Sequence, residues 1–145
     1  MEIGYLLTDQ SAAISALAKS TAQITAVILS VLGEVVHVDG VTIYSTVLNL
    51  EIVPECIAIT PTMVFASAVI AFPATMSDKL KGLVIGTVLL YGINLVRVVT
   101  LFYIGVYAPT HLEFAHLVVW QAAIMLAAIG IWIHWAVKYG QARLA

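Results

Sequence analysis

A single cysteine, Cys56, stands in the stretch Pro54-Glu55-Cys56-Ile57. An arginine, Arg97, interrupts an otherwise apolar run that also holds Asn94, and a histidine, His116, opens another such run after Glu113. Together these residue types suit acyl transfer. A thiolate attacks a carbonyl, an imidazole carries the proton to the leaving amine, and a fixed cation stabilises the oxyanion. Each also has a plainer reading. An arginine inside a span can snorkel to the interface or pair with Glu113 or Glu55. A membrane cysteine is commonly a small hydrophobe, and a lone histidine commonly a packing or interfacial residue. Two features favour chemistry. Asn94 lies three residues before Arg97 and Tyr91 three before that, so a polar stripe runs along one helical face. Cys56 follows a loop and begins an apolar segment, where a helix N-terminus would favour its thiolate. His116 has Glu113 and Trp120 as neighbours at helical spacing.

The elements that would position these groups are membrane helices. Of the 145 residues, 62% are hydrophobic and 10% charged, and the mean hydropathy is +1.06. A soluble domain of this size carries about 25% charge, so lipid must be the solvent. The expectation is an all-α integral membrane protein forming one membrane domain. A bilayer core of about 30 Å needs roughly 20 apolar residues in a helix. Four stretches qualify, at about 13–36, 56–76, 82–103 and 112–137. The first is diluted by Lys19, Gln23 and several hydroxyl residues. Ser77 to Lys81 reads as a tight polar turn, and Gly105 to His111 as a short connection stopped by Pro109. The stretch after Asp39-Gly40, rich in β-branched residues, predicts a short extended or hairpin segment between the first and second spans. The N-terminus lacks a basic residue before Lys19 and predicts no cleaved signal.

Sidedness follows from the basic residues. With four spans, Lys19, Lys79, Lys81, Lys138 and Arg143 share one side, the cytoplasm, with both termini. The loop bearing Asp39, Glu51 and Glu55 then faces outward. Counting about 1.5 Å per residue from Gly82, Arg97 lies about 22 Å from the inner face. Cys56, Arg97 and His116 therefore fall at one outer level on three different helices. The net charge of −2 gives no sign of a nucleic-acid partner. One cysteine allows no intrachain disulfide. His111 and His116 are five apart, and nothing has the spacing of a zinc motif, so neither metal nor cofactor is expected.

The order of a cysteine, then Asn-x-x-Arg, then histidine on successive apolar segments resembles the exosortase and archaeosortase family of membrane-embedded cysteine transpeptidases. PECIAIT at Pro54–Thr60, GINLVRVV at Gly92–Val99 and EFAHLVVW at Glu113–Trp120 carry the resemblance, which covers about Gly33 to Val137. It implies Cys56 as nucleophile, Arg97 as oxyanion-stabilising or substrate-orienting cation, His116 as acid/base and Asn94 in support. Many members follow the cysteine with a small hydroxyl residue and then glycine, where this chain has Ile57 and Ala58. The resemblance further implies action on secreted proteins ending in a short motif, a hydrophobic helix and a basic cluster. Cleavage would occur at the outer membrane face, with transfer to a surface or lipid acceptor. Two other classes fit the residues alone. One is a small transporter or channel component with an anion site at Arg97 and Asn94. The other is a non-catalytic membrane partner whose polar residues bond between helices.

Overall fold

The computed structural model describes residues 2–140, except the side chains of residues 2–11, 54 and 55. Arg143, expected at the inner face, lies outside the described residues, as do the side chains of Glu2, Asp9 and Glu55. The elements in order are α1 (Glu2–Val31), β1 (Val36–Asp39), β2 (Thr42–Ser45), β3 (Asn49–Glu51), a 3-10 turn (Pro54–Ile57), α2 (Ile59–Ala71) and α3 (Met76–Tyr107). A second 3-10 turn (Pro109–His111), α4 (Leu112–Phe114), a π-helical turn (Ala115–Val119) and α5 (Trp120–Gly140) complete the described residues. Among the described residues, three helical stretches are long and apolar enough to cross a membrane, Ala12–Val31, Met76–Tyr107 and Pro109–Tyr139. They pack into two compact units, one from residues 1–57 and 95–112, the other from residues 58–94 and 113–145.

The first unit is built on α1. Ala18, Thr21, Ala22, Thr25, Ala26 and Leu29 are buried at the spacing of one helical face, and the helix packs on β1, β2 and the Pro54–Ile57 turn. It stops at Val31, short of the expected residue 36. Gly33 takes a φ of +97°, and the Gly33 and Glu34 amides donate to the Ser30 and Leu29 carbonyls at 3.1 and 2.9 Å. This is a Schellman cap, in which glycine lets the chain turn left-handed and satisfies the last carbonyls.

The predicted extended segment is a small antiparallel sheet of three strands, β1-β2-β3. Asp39 faces Thr42, and Thr42 faces Glu51. Gly40, with φ +62°, opens the two-residue β1–β2 loop, the position that a type II′ turn reserves for glycine. Ile43 on the central strand is fully buried. Leu48 lies so close to Gly105 of α3 that a Cβ there would collide with it.

The second unit contains α2, the first part of α3, and α5. Ala58, Phe65, Val69, Leu90, Ile124, Ala128, Trp135 and Ala136 form its core. Gly82 and Gly86 of α3 have no room for a Cβ, one lying against the Trp135 indole and the other against the Phe65 ring. This Gly-x-x-x-Gly pair lets aromatic side chains reach the helix backbone.

Two expectations are corrected here. The second apolar stretch yields an α-helix of only 13 residues, which rises about 20 Å, less than a bilayer core. Pro61 is tolerated in its first turn, where amides have no helical partner. At its end Phe72 adopts the extended conformation (ψ 137°) favoured before Pro73. Ser77 to Lys81 is also helical, since α3 begins at Met76. The Thr75 hydroxyl accepts from the Asp78 amide at 3.2 Å and donates to the Asp78 carboxylate at 2.7 Å. Those bonds satisfy the first turn of the helix, so the turn shifts to residues 72–75.

Candidate active site

Cys56 is positioned by the sheet. The Ile52 amide donates to the Val41 carbonyl at 2.9 Å, continuing the hairpin bonding past β3. The Cys56 amide then donates to Val53 at 2.8 Å, closing the 3-10 turn. Ile52, Cys56 and Ile57 are buried. The expected placement of Cys56 in the first turn of the second helix does not hold. Ala58 intervenes in the left-handed conformation, φ 53° and ψ 30°, and α2 starts only at Ile59. The thiol therefore belongs to a tight turn between sheet and helix, outside the first turn of α2. The argument from the α2 dipole falls away with that placement.

Arg97 projects from α3 on the face that also buries Val98, Leu101 and Phe102, while Val96 is exposed. It is 1% exposed, the largest fully buried side chain among the described residues. The guanidinium thus sits within protein, and the snorkelling reading is set aside. Burying an arginine is costly unless other groups compensate its charge, so its place in the first unit demands polar or ionisable company. Cys56 is part of that company, since the Arg97 guanidinium lies within electrostatic range of the cysteine sulfur. Both residues belong to the same unit.

Asn94 and His116 belong to the second unit. Asn94 is fully buried, three residues before Arg97 on the same continuous α3. His116 is half-buried in the π-helical turn, which closes where the Trp120 amide donates to the Ala115 carbonyl. Such single wide turns insert a residue into a helix and recur at functional sites because they re-aim a side chain. Glu113, expected beside His116, is exposed. Of the four residues the sequence singles out, Cys56 and Arg97 are brought together in one unit, and Asn94 and His116 are placed in the other.

Two more polar residues emerge only in three dimensions. Thr21 and Thr25 of α1 are fully buried, though in the sequence they merely dilute an apolar helix. Their four-residue spacing on an alanine-rich face was the available signal.

The sequence matches the transmembrane exosortase family model over residues 3–136. No curated protein and no solved structure matches it. The family match reaches all three segments that carry Cys56, Arg97 and His116, and the chain belongs to the transmembrane exosortase family.

Proposed function

We propose that the protein is a sorting cysteine peptidase or transpeptidase that cleaves the C-terminal signal of secreted proteins at the extracytoplasmic membrane face. Cys56 is the nucleophile, Arg97 stabilises the oxyanion, His116 moves the proton, and Asn94 orients the groups around it. The observation that carries this reading is the buried Arg97 within electrostatic range of the only cysteine. A cation held beside a thiol favours thiolate, the reactive form, and the same cation meets the negative charge that forms on the carbonyl oxygen. Attack of the thiolate on the scissile carbonyl gives a tetrahedral oxyanion. Its collapse expels the amine, which takes its proton from His116, and leaves a thioester on Cys56. Water or an acceptor at the surface or in the lipid then releases the new carboxyl end.

The outward placement rests on four crossings within one membrane domain. The 3-10 turn and α2 supply about 8 and about 20 Å of rise, so residues 54–71 have nearly the contour of a bilayer core. The basic residues support the same sidedness. In the second unit Lys79 donates to the Ile70 carbonyl at the end of α2 (2.6 Å), and Lys81 lies 4.0 Å from Asp78. The Trp135 indole donates to the Asp78 carbonyl at 3.1 Å, and Phe72 meets Trp132 and Trp135 edge-on. Lysines grouped with an aromatic belt mark a cytoplasmic interface. Both termini then face the cytoplasm, and Cys56 faces out.

Co-expression with a secreted protein ending in motif, hydrophobic helix and basic cluster tests the reading. Cys56→Ala, Arg97→Ala and His116→Ala each leave a membrane-inserted protein and abolish processing. Undiminished processing by Cys56→Ala overturns it.

A further inference from the structure

Hydroxyl side chains on membrane helices commonly bond back to their own helix, and four in this protein do so. Ser20 donates to Leu17, Ser30 to Ala26, Ser67 to Met63 and Thr100 to Val96, all within 2.7–2.9 Å. Thr25 is an exception. Its residue is 0% exposed, yet its Oγ1 has no hydrogen-bond partner among the described residues. An unbonded buried hydroxyl is destabilising, and a valine of the same shape would fill the space without that penalty.

Its location suggests why it is there. Thr25 lies on the single buried face of α1, among Ala18, Ala22 and Ala26, whose small side chains let another segment approach closely. That helix packs against the Pro54–Ile57 turn, which carries Cys56, and the helix, the turn and Arg97 share one unit. A buried donor left unbonded at rest, on the buried face of a helix that packs against the nucleophile's turn, suits a charge that exists only during reaction. Such donors stabilise the transition state more than the ground state.

We infer that the Thr25 hydroxyl is a second donor, alongside Arg97, to the oxyanion formed when Cys56 attacks a carbonyl; the inference rests on Cys56 being the nucleophile. In that step the sulfur–carbon bond forms as the carbonyl π pair moves onto oxygen, where the Thr25 O–H donates. When the oxyanion collapses, the C=O bond re-forms, the leaving group departs with its electron pair, and the hydroxyl is released unchanged.

Two small reagents separate this role from packing. p-Nitrophenyl acetate acylates a thiolate through an oxyanion, whereas iodoacetamide alkylates it by direct displacement and forms none. Both act at Cys56 alone among thiols, and Cys56→Ala supplies the background. With the purified full chain in detergent micelles, Thr25→Val slows acylation about 100-fold, with alkylation unchanged. Thr25→Ser keeps the hydroxyl and restores acylation to within a few-fold. An unchanged ratio of acylation to alkylation in Thr25→Val overturns the inference, as does an equal fall in both rates. If the unsubstituted chain shows no acylation above the Cys56→Ala background, the nucleophile itself is wrong and the inference falls with it. Normal acylation in both the unsubstituted chain and Thr25→Val removes only the role of Thr25.

Discussion

Arg97 carries the sharpest conflict between stability and function. Removing one member of a buried charged network is destabilising, and Arg97 is 1% exposed. Arg97→Lys keeps the charge and is therefore expected to melt close to the temperature of the unsubstituted protein in detergent, while processing of a co-expressed substrate falls at least about 100-fold because an ammonium lacks the fixed fork of guanidinium donors. A variant that loses both would make the arginine a structural group. Ala58 carries a smaller conflict of the same kind. A left-handed alanine is disfavoured by about 1–2 kcal/mol, and glycine occupies that region freely. The family resemblance places glycine two residues after the cysteine, and the φ of 53° at Ala58 supplies the reason. Ala58→Gly should gain about 0.5–1 kcal/mol after the added freedom of the unfolded chain is subtracted, read as a higher melting temperature. Ala58→Val should lower it, since a β-branched residue tolerates positive φ worst.

At the scale of elements, helix ends and close approaches matter more than hydropathy. Hydropathy located the apolar segments of α1, α3 and α5, because lipid tolerates only apolar runs. It missed their ends, which depend on local bonding. Gly33 stops α1 through a Schellman cap, and Thr75 with Asp78 starts α3 ahead of two lysines that read as a turn. Glycines in apolar runs were equally silent until their neighbours were seen. At Gly86 a Cβ would strike the buried Phe65 ring, whereas at Gly92 nothing among the described residues lies within 4 Å. The two positions therefore predict opposite signs. Gly86→Ala should destabilise by about 1–3 kcal/mol through overpacking, and Gly92→Ala should stabilise by up to about 1 kcal/mol through helix propensity. Thermal denaturation of both variants under one detergent condition checks the pair.

For the whole molecule the number of crossings decides which face Cys56 occupies. Residue types and their order single out Cys56, Arg97, Asn94 and His116 as candidates without any fold. The turn holding Cys56 was not legible, because it depends on a sheet bond from Ile52 to Val41 across eleven residues of β-rich sequence. Thr25 was hidden because only a packed structure shows a hydroxyl that does not bond to its own helix. The proposed sidedness depends on residues 54–71 completing a crossing although α2 alone is short. Two exposed positions flank that segment, Tyr44 in β2 and Leu80 in the first turns of α3. In a Cys56→Ala background, Tyr44→Cys should react with a membrane-impermeant maleimide added to intact cells. Leu80→Cys should react only after the membrane is permeabilised. Equal labelling of both in intact cells would place them on one side, reduce the crossings to three and put the termini on opposite faces. The four-crossing arrangement requires the asymmetric result, because Lys79 and Lys81 beside Leu80 favour the cytoplasm while the proposed function puts the sheet that positions Cys56 on the side of a secreted substrate.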